Sequence, residues 1–189
     1  MGRLARIVGR LERVLALAEA RLAREGPPHY DAEFFARHLA CRWEAERGGR
    51  LVGIEAPTLF DLDDLVGVDR NVARLVRNTE QHVRGLPSNN VLLYGERGTG
   101  KSSAVKGLLA KFGRQGLRLV EVQRDELVHL PRVLAAIRCD GGRHRFLVFA
   151  DDLSFGPGEP GYRELKAALE GSLEGPPASV RLVATSNRR

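Results

Sequence analysis

Cysteine is scarce. The 189 residues contain two, Cys41 and Cys139, in neither a CxxC nor a Cys/His spacing, so a disulfide scaffold and a thiolate metal site are both excluded as readings. The five histidines are scattered and likewise lack metal-ligand spacing. No apolar run reaches the roughly 18 residues of a membrane span. Arginine interrupts every apolar stretch of residues 1–13, which does not read as a signal peptide, and Arg6 stands where a myristoylation signal has Ser or Thr. A cytoplasmic protein in a reducing compartment, without a membrane partner, is the expectation. Lysine is the other rarity, with 4 against 26 arginines, so a lysine at a motif position carries extra weight. There are no internal repeats and no low-complexity tract.

What is present reads as a globular chain: 43% hydrophobic, 29% charged, nine prolines, sized for one domain with a modest appendage. The net charge is +6, without a basic tail. Residues 1–50 hold ten Arg against seven acids, a surplus of three, and residues 51–189 hold the other three.

Leu4, Ile7, Val8, Leu11, Val14, Leu15, Ala18 and Leu22 recur at helical spacing and predict a helix over 3–24. A second is expected from Asp31 as N-cap through Phe34, Phe35, Leu39 and Trp43 to the stop at Gly48-Gly49. Residues 50–68 read as a connector, so that 1–60 form a helical N-terminal appendage and 61–189 the core. The core alternates: helix 69–84, strand 91–94, helix 101–112, strand 117–122, helix 125–138 with Pro131 in a first turn or a kink, strand 145–150, helix 161–174 and strand 180–185. That order argues for an α/β fold with a parallel sheet flanked by helices.

Gly95-Glu96-Arg97-Gly98-Thr99-Gly100-Lys101-Ser102 matches GxxxxGK[ST] between an expected strand and an expected helix. Its glycines let successive amides face a phosphate, and the following helix N-terminus adds its dipole. Lys101 is placed to reach the β- and γ-phosphates, and the Ser102 hydroxyl to ligate Mg²⁺; Ser103 follows in the first turn. With this chain's own residue frequencies, an accidental match anywhere has a chance of roughly 0.3%, before the strand–loop–helix context is required.

Phe146-Leu-Val-Phe-Ala150 ends in Asp151-Asp152, the pattern of a Walker B strand. Asp151 is the candidate Mg²⁺ ligand and Asp152 the candidate base for an attacking water. Asp152 is one methylene shorter than the Glu common in ATPases of this type. The strand Val180–Thr185 leads to Ser186 and Asn187; if it lies between the P-loop strand and the Walker B strand, Asn187 points toward the γ-phosphate.

Together these elements resemble the AAA+ ATPases. Asn89–Ser103, Asp151-Asp-Leu-Ser-Phe155 and Ala184-Thr-Ser-Asn-Arg-Arg189 are similar to a bacterial AAA+ family catalogued as domain of unknown function number 815, over roughly residues 25–189. The resemblance implies ATP and Mg²⁺ as cofactors, ATP hydrolysis coupled to conformational work on a macromolecular partner, and assembly into a homo-oligomer. It gives Asn187 the sensor 1 role, makes Val66, Gly67 and Val68 adenine-contact candidates, and makes Asp-Asp the family's usual acidic pair. It also implies a strand order 5-1-4-3-2 and, beyond sensor 1, a fifth strand and a helical lid. The chain stops at Arg189, so a truncated product with the P-loop strand at a sheet edge is expected.

Arg70, Arg74, Arg77 and Arg84 form a basic stripe on the 69–84 helix, read as a solvated face or as a contact for nucleic-acid phosphates or a neighbouring subunit. Arg138, Arg143, His144 and Arg145 cluster around Gly141-Gly142. Arg188 and Arg189 are read either as an exposed chain end or as arginine fingers. The alternative functions are a nucleotide-gated binding module that scarcely hydrolyses and docks an unidentified protein, and a nucleic-acid-associated adaptor.

Overall fold

Three apolar runs set the architecture. Leu117–Glu121, Arg145–Ala150 and Val180–Ser186 are buried almost throughout, as strands covered on both faces must be. The computed structural model describes residues 30–153 and 176–187. In chain order the elements are α1 (Ala32–Arg37), β1 (Ala40–Glu44), β2 (Arg50–Ile54), α2 (Asp69–Val83), β3 (Val91–Tyr94), α3 (Lys101–Phe112), β4 (Leu117–Glu121), α4 (Leu130–Arg138), β5 (Arg145–Ala150) and β6 (Val180–Ser186), joined in places by short 3₁₀ turns. The expected helices over 3–24 and 161–174, with Ser154, Phe155, Arg188 and Arg189, lie outside the described residues.

The six strands form one sheet in the order β2-β1-β4-β5-β6-β3. All neighbouring pairs are parallel except β1 with β2. Numbered from the P-loop strand, β3-β6-β5-β4 is the 1-4-3-2 part of the expected AAA+ order, so the chain has the parallel α/β sheet of a P-loop NTPase. β3 closes one edge of the sheet among the described residues. Strand alternation sends side chains to two cores. Val120, Val148, Leu182 and Ala184 meet α1 and α4 through Phe35, Val133 and Ile137. Leu119, Leu147, Phe149 and Val183 meet α2 and α3 through Leu75, Val105, Leu108 and Phe112.

The N-terminal part corrects the sequence reading. Asp31 does cap a helix, its side chain accepting from Phe34 N at 2.8 Å, but that helix stops at Arg37 and His38 is extended. Residues 40–54, expected to be helix and connector, are two strands of the sheet. Ala40 pairs with Leu119 of β4, while Trp43 pairs with Leu51 of β2 and is buried. Gly48-Gly49, read as a helix stop, is the hairpin turn, with φ of +91° and +80°. The apolar residues satisfied a helical spacing, but the parallel partner β4 was there to be paired, and a sheet edge takes up an alternating segment such as Cys41-Arg42-Trp43. The helix expected over 125–138 begins later, at Leu130 with Pro131 in its first turn, after a 3₁₀ stretch over Arg124–His129.

Candidate functional site

β3, β5 and β6 run parallel and end at the same end of the sheet, and the GxxxxGK[ST] motif, the acidic pair and the polar residues Thr185, Ser186 and Asn187 lie there. β3 passes into a turn held to the sheet by Gly95 N donating to Ser186 O at 3.2 Å. The turn is braced by the Thr99 hydroxyl on Glu96 O at 2.9 Å. Gly98 and Gly100 both have φ near +80°, a left-handed geometry that L side chains resist. Glu96, Arg97, Gly98 and Thr99 are exposed. Lys101 Nζ folds back on the loop, donating to Gly95 O at 2.9 Å and Glu96 O at 2.7 Å.

Across the sheet end, Ser102 Oγ donates to Asp151 Oδ1 at 2.7 Å. The two expected metal ligands, 49 residues apart in sequence, are therefore in direct contact. Asp152 stands beside them with φ +53°, the single non-glycine residue of positive φ among those described. Its carboxylate accepts from Asn187 Nδ2. Both Asp151 and Asp152 are exposed.

One residue of this constellation was missed. Thr185, 1% exposed, donates from Oγ1 to Asp151 Oδ1 and accepts from Asp152 N at 2.8 Å. Its carbonyl takes Leu153 N at 2.8 Å. A single residue, through its hydroxyl and its carbonyl, thus pins the whole acidic turn. The signal was a hydroxyl near the end of an otherwise apolar strand, but only the sheet order puts it beside the acids.

The expected base-contact segment arrives by another route. A Cβ on Gly100 would sit 2.6 Å from Leu65 Cδ2, so Leu65 lies on the last glycine of the glycine-rich loop and Val66, Gly67 and Val68 follow directly. Val66 is 92% exposed, and Gly67 has φ +77°. Mg²⁺ fits the donor set: a hydroxyl and a carboxylate are hard oxygen ligands, and this ion keeps waters and takes its remaining ligands from phosphates. No group of three His, Cys, Asp or Glu among the described residues could hold a metal without such help.

The family described as "Protein of unknown function (DUF815)" matches residues 36–189. The chain belongs to the DUF815 family. No curated protein matches it. Solved structures similar to this DUF815 chain include ORC1 of Aeropyrum pernix in complex with DNA, at 17% identity and TM-score 0.47 over 64% of this chain and 38% of that one. The Holliday junction branch migration motor RuvB of Thermotoga maritima is 18% identical, with TM-score 0.42 over 68% and 41%. AMPPCP-bound DnaA from Aquifex aeolicus is 17% identical, with TM-score 0.46 over 68% and 42%. The DUF815 chain thus spans about two fifths of those proteins' length. Among its described residues no helix is long and apolar enough to cross a membrane.

Proposed function

We propose that this DUF815 chain is an ATP-binding module of AAA+ type that hydrolyses Mg-ATP and couples turnover to work on a macromolecular partner. The observation that carries the reading is the 2.7 Å contact between Ser102 Oγ and Asp151 Oδ1, next to a glycine-rich loop that is exposed over residues 96–99. A helix N-terminus, a flexible ammonium and a carboxylate then converge where a nucleotide triphosphate would lie. Ser102 and Asp151 would hold Mg²⁺, which when bound neutralises charge on the phosphate oxygens.

The protein's own groups supply the rest. Lys101 exchanges two loop carbonyls for phosphate oxygens, a neutral partner for an anionic one. The amides of Gly98, Thr99 and Gly100 donate to the same anion at fixed positions, without reorganisation during reaction. Asp152 accepts a proton from the attacking water, and Asn187, which now donates to that carboxylate, orients the water from the β6 side. Val66, Gly67 and Val68 flank the base. The test is ATP binding and turnover with Mg²⁺: Lys101→Ala abolishes binding, and Asp152→Asn binds but does not turn over. Equal turnover in Asp152→Asn and the parent removes Asp152 from the base role and favours a nucleotide-gated module.

A nucleic-acid partner is a second reading, favoured by one observation. Arg70, Arg74, Arg77 and Arg84 are all exposed and none is in an ion pair among the described residues. At 100° per residue they fall within an arc of about 80° and span roughly 21 Å along α2. That arc lies opposite Leu75, Thr79 and His82, the buried side of the helix.

A further inference from the structure

Two glycines of α3 and its cap carry the segment that leads to Val66. Gly100 and Gly107 are seven residues apart, about two turns, and so lie on one side of the helix. A Cβ on Gly107 would be 2.4 Å from Leu62 Cδ2, 2.7 Å from Leu62 Cγ and 3.3 Å from the Phe60 carbonyl oxygen. At Gly100 the corresponding neighbour is Leu65 Cδ2, at 2.6 Å. Residues 60–65 are therefore a strap lying against α3 at both ends. Between the contacts it makes a 3₁₀ turn over Leu62–Asp64, capped by Asp61 Oδ1 accepting from Asp63 N at 3.1 Å.

Glycine inside a helix costs about 1 kcal/mol relative to alanine, and nothing in α3 itself asks for one at 107. The close approach of Leu62 does. The strap runs on through Val66, Gly67 and Val68 into α2, which begins at Asp69, so its height over α3 sets where those three residues stand relative to the phosphate loop.

We infer that Gly107 is a positioning residue for nucleobase recognition: by admitting Leu62 it seats the strap, and the strap holds Val66 to Val68 at the base while the phosphate loop binds the phosphates unaided. The inference rests on the nucleotide reading above. A methyl group at 107 displaces Leu62, which packs on the core from its partly buried edge, and a cavity of about 460 Å³ beside Leu59, strap residues 60–63, Gly107, Ala110 and Lys111 gives the strap room to shift.

The experiment compares ATP with inorganic tripolyphosphate, which has the phosphates and no base, on the full chain. Gly107→Ala binds ATP roughly tenfold more weakly, the scale of losing one apolar contact of valine size, and binds tripolyphosphate as the parent does. Adding Leu62→Ala, which makes space for the new methyl, restores ATP affinity. Unchanged ATP affinity in Gly107→Ala overturns the inference, and so does an equal loss for both ligands, which would place the effect in the phosphate loop. If the parent protein binds neither ligand, the nucleotide reading itself fails, a different outcome from either.

Discussion

Replacing Thr185 by valine removes one hydroxyl and keeps the shape, the β-branching and the strand. Two hydrogen bonds go with it: the acceptor for Asp152 N at 2.8 Å and the donor to Asp151 Oδ1. Thr185 is 1% exposed but Asp152 is not buried, so water replaces the partner lost by the Asp152 amide only in part, at a cost toward the lower end of the about 1–3 kcal/mol of an orphaned donor. Loss of the bond to Asp151 costs less than a charge-assisted bond normally would, because that carboxylate is exposed and keeps Ser102. A total of about 2 kcal/mol follows, or a fall in Tm of roughly 4–8 °C for a chain of this length. The functional consequence is larger, because φ +53° at Asp152 is a conformation that non-glycine residues hold only when neighbours impose it. Thermal denaturation and Mg-ATP titration, with Thr185→Ser as the control that keeps the hydroxyl, are the assays. Thr185→Val should lose stability and lose the Mg²⁺-dependent part of its ATP affinity, while Thr185→Ser keeps both. A valine variant with the parent's Tm and Mg²⁺ dependence would refute the claim that this hydroxyl organises the acidic turn; lower stability with unchanged Mg²⁺ dependence would leave it a purely structural bond.

His82 gives a pH dependence remote from the site. It is 1% exposed, lies 3.1 Å from Phe146 O through Nε2, and burial, with Arg181 and Arg145 adding to it, pushes its pKa down to about 4. The folded protein therefore disfavours the imidazolium, so this contribution to stability is complete above the unfolded value near 6.5 and is lost as pH falls toward 4; from pH 7.5 to 5 the expected loss is about 2 kcal/mol. Denaturant titrations at the two pH values measure it, and a His82→Gln variant with the same pH slope would sink the assignment. For the basic stripe, DNA affinity should fall steeply with salt, with Arg74→Glu binding more weakly still and showing a shallower slope; a slope unchanged in that variant excludes the stripe. In the ATP titration, Lys101→Ala should show no saturable binding, and retention of parent-like affinity would displace Lys101 from the phosphate role.

Much of this protein was legible in its sequence because the deciding signals are local. A glycine-rich turn between a strand and a helix is specified by neighbours in the chain, and Gly95 to Gly100 form that turn between β3 and α3 as expected. Continuous apolar runs mark strands covered on both faces, and β5 occupies the expected residues 145–150. What distance along the chain hides was less accessible. Phe35, Leu39 and Trp43 satisfied a helical spacing, and only the presence of β4 as a partner for residues 40–42 made the segment a strand. The chemistry of Thr185 is invisible until β6 is laid beside β5 with Ala184 opposite Ala150, which brings its hydroxyl to the acidic turn. Gly107 likewise shows its reason only when Leu62 is found against it. Residue type and short spacing were enough to specify the glycine-rich loop, the acidic strand end and the alternation that builds a parallel sheet. The tertiary structure alone decided which of these meet, because contacts across a sheet are set by strand order and register, and neither is encoded in any one segment.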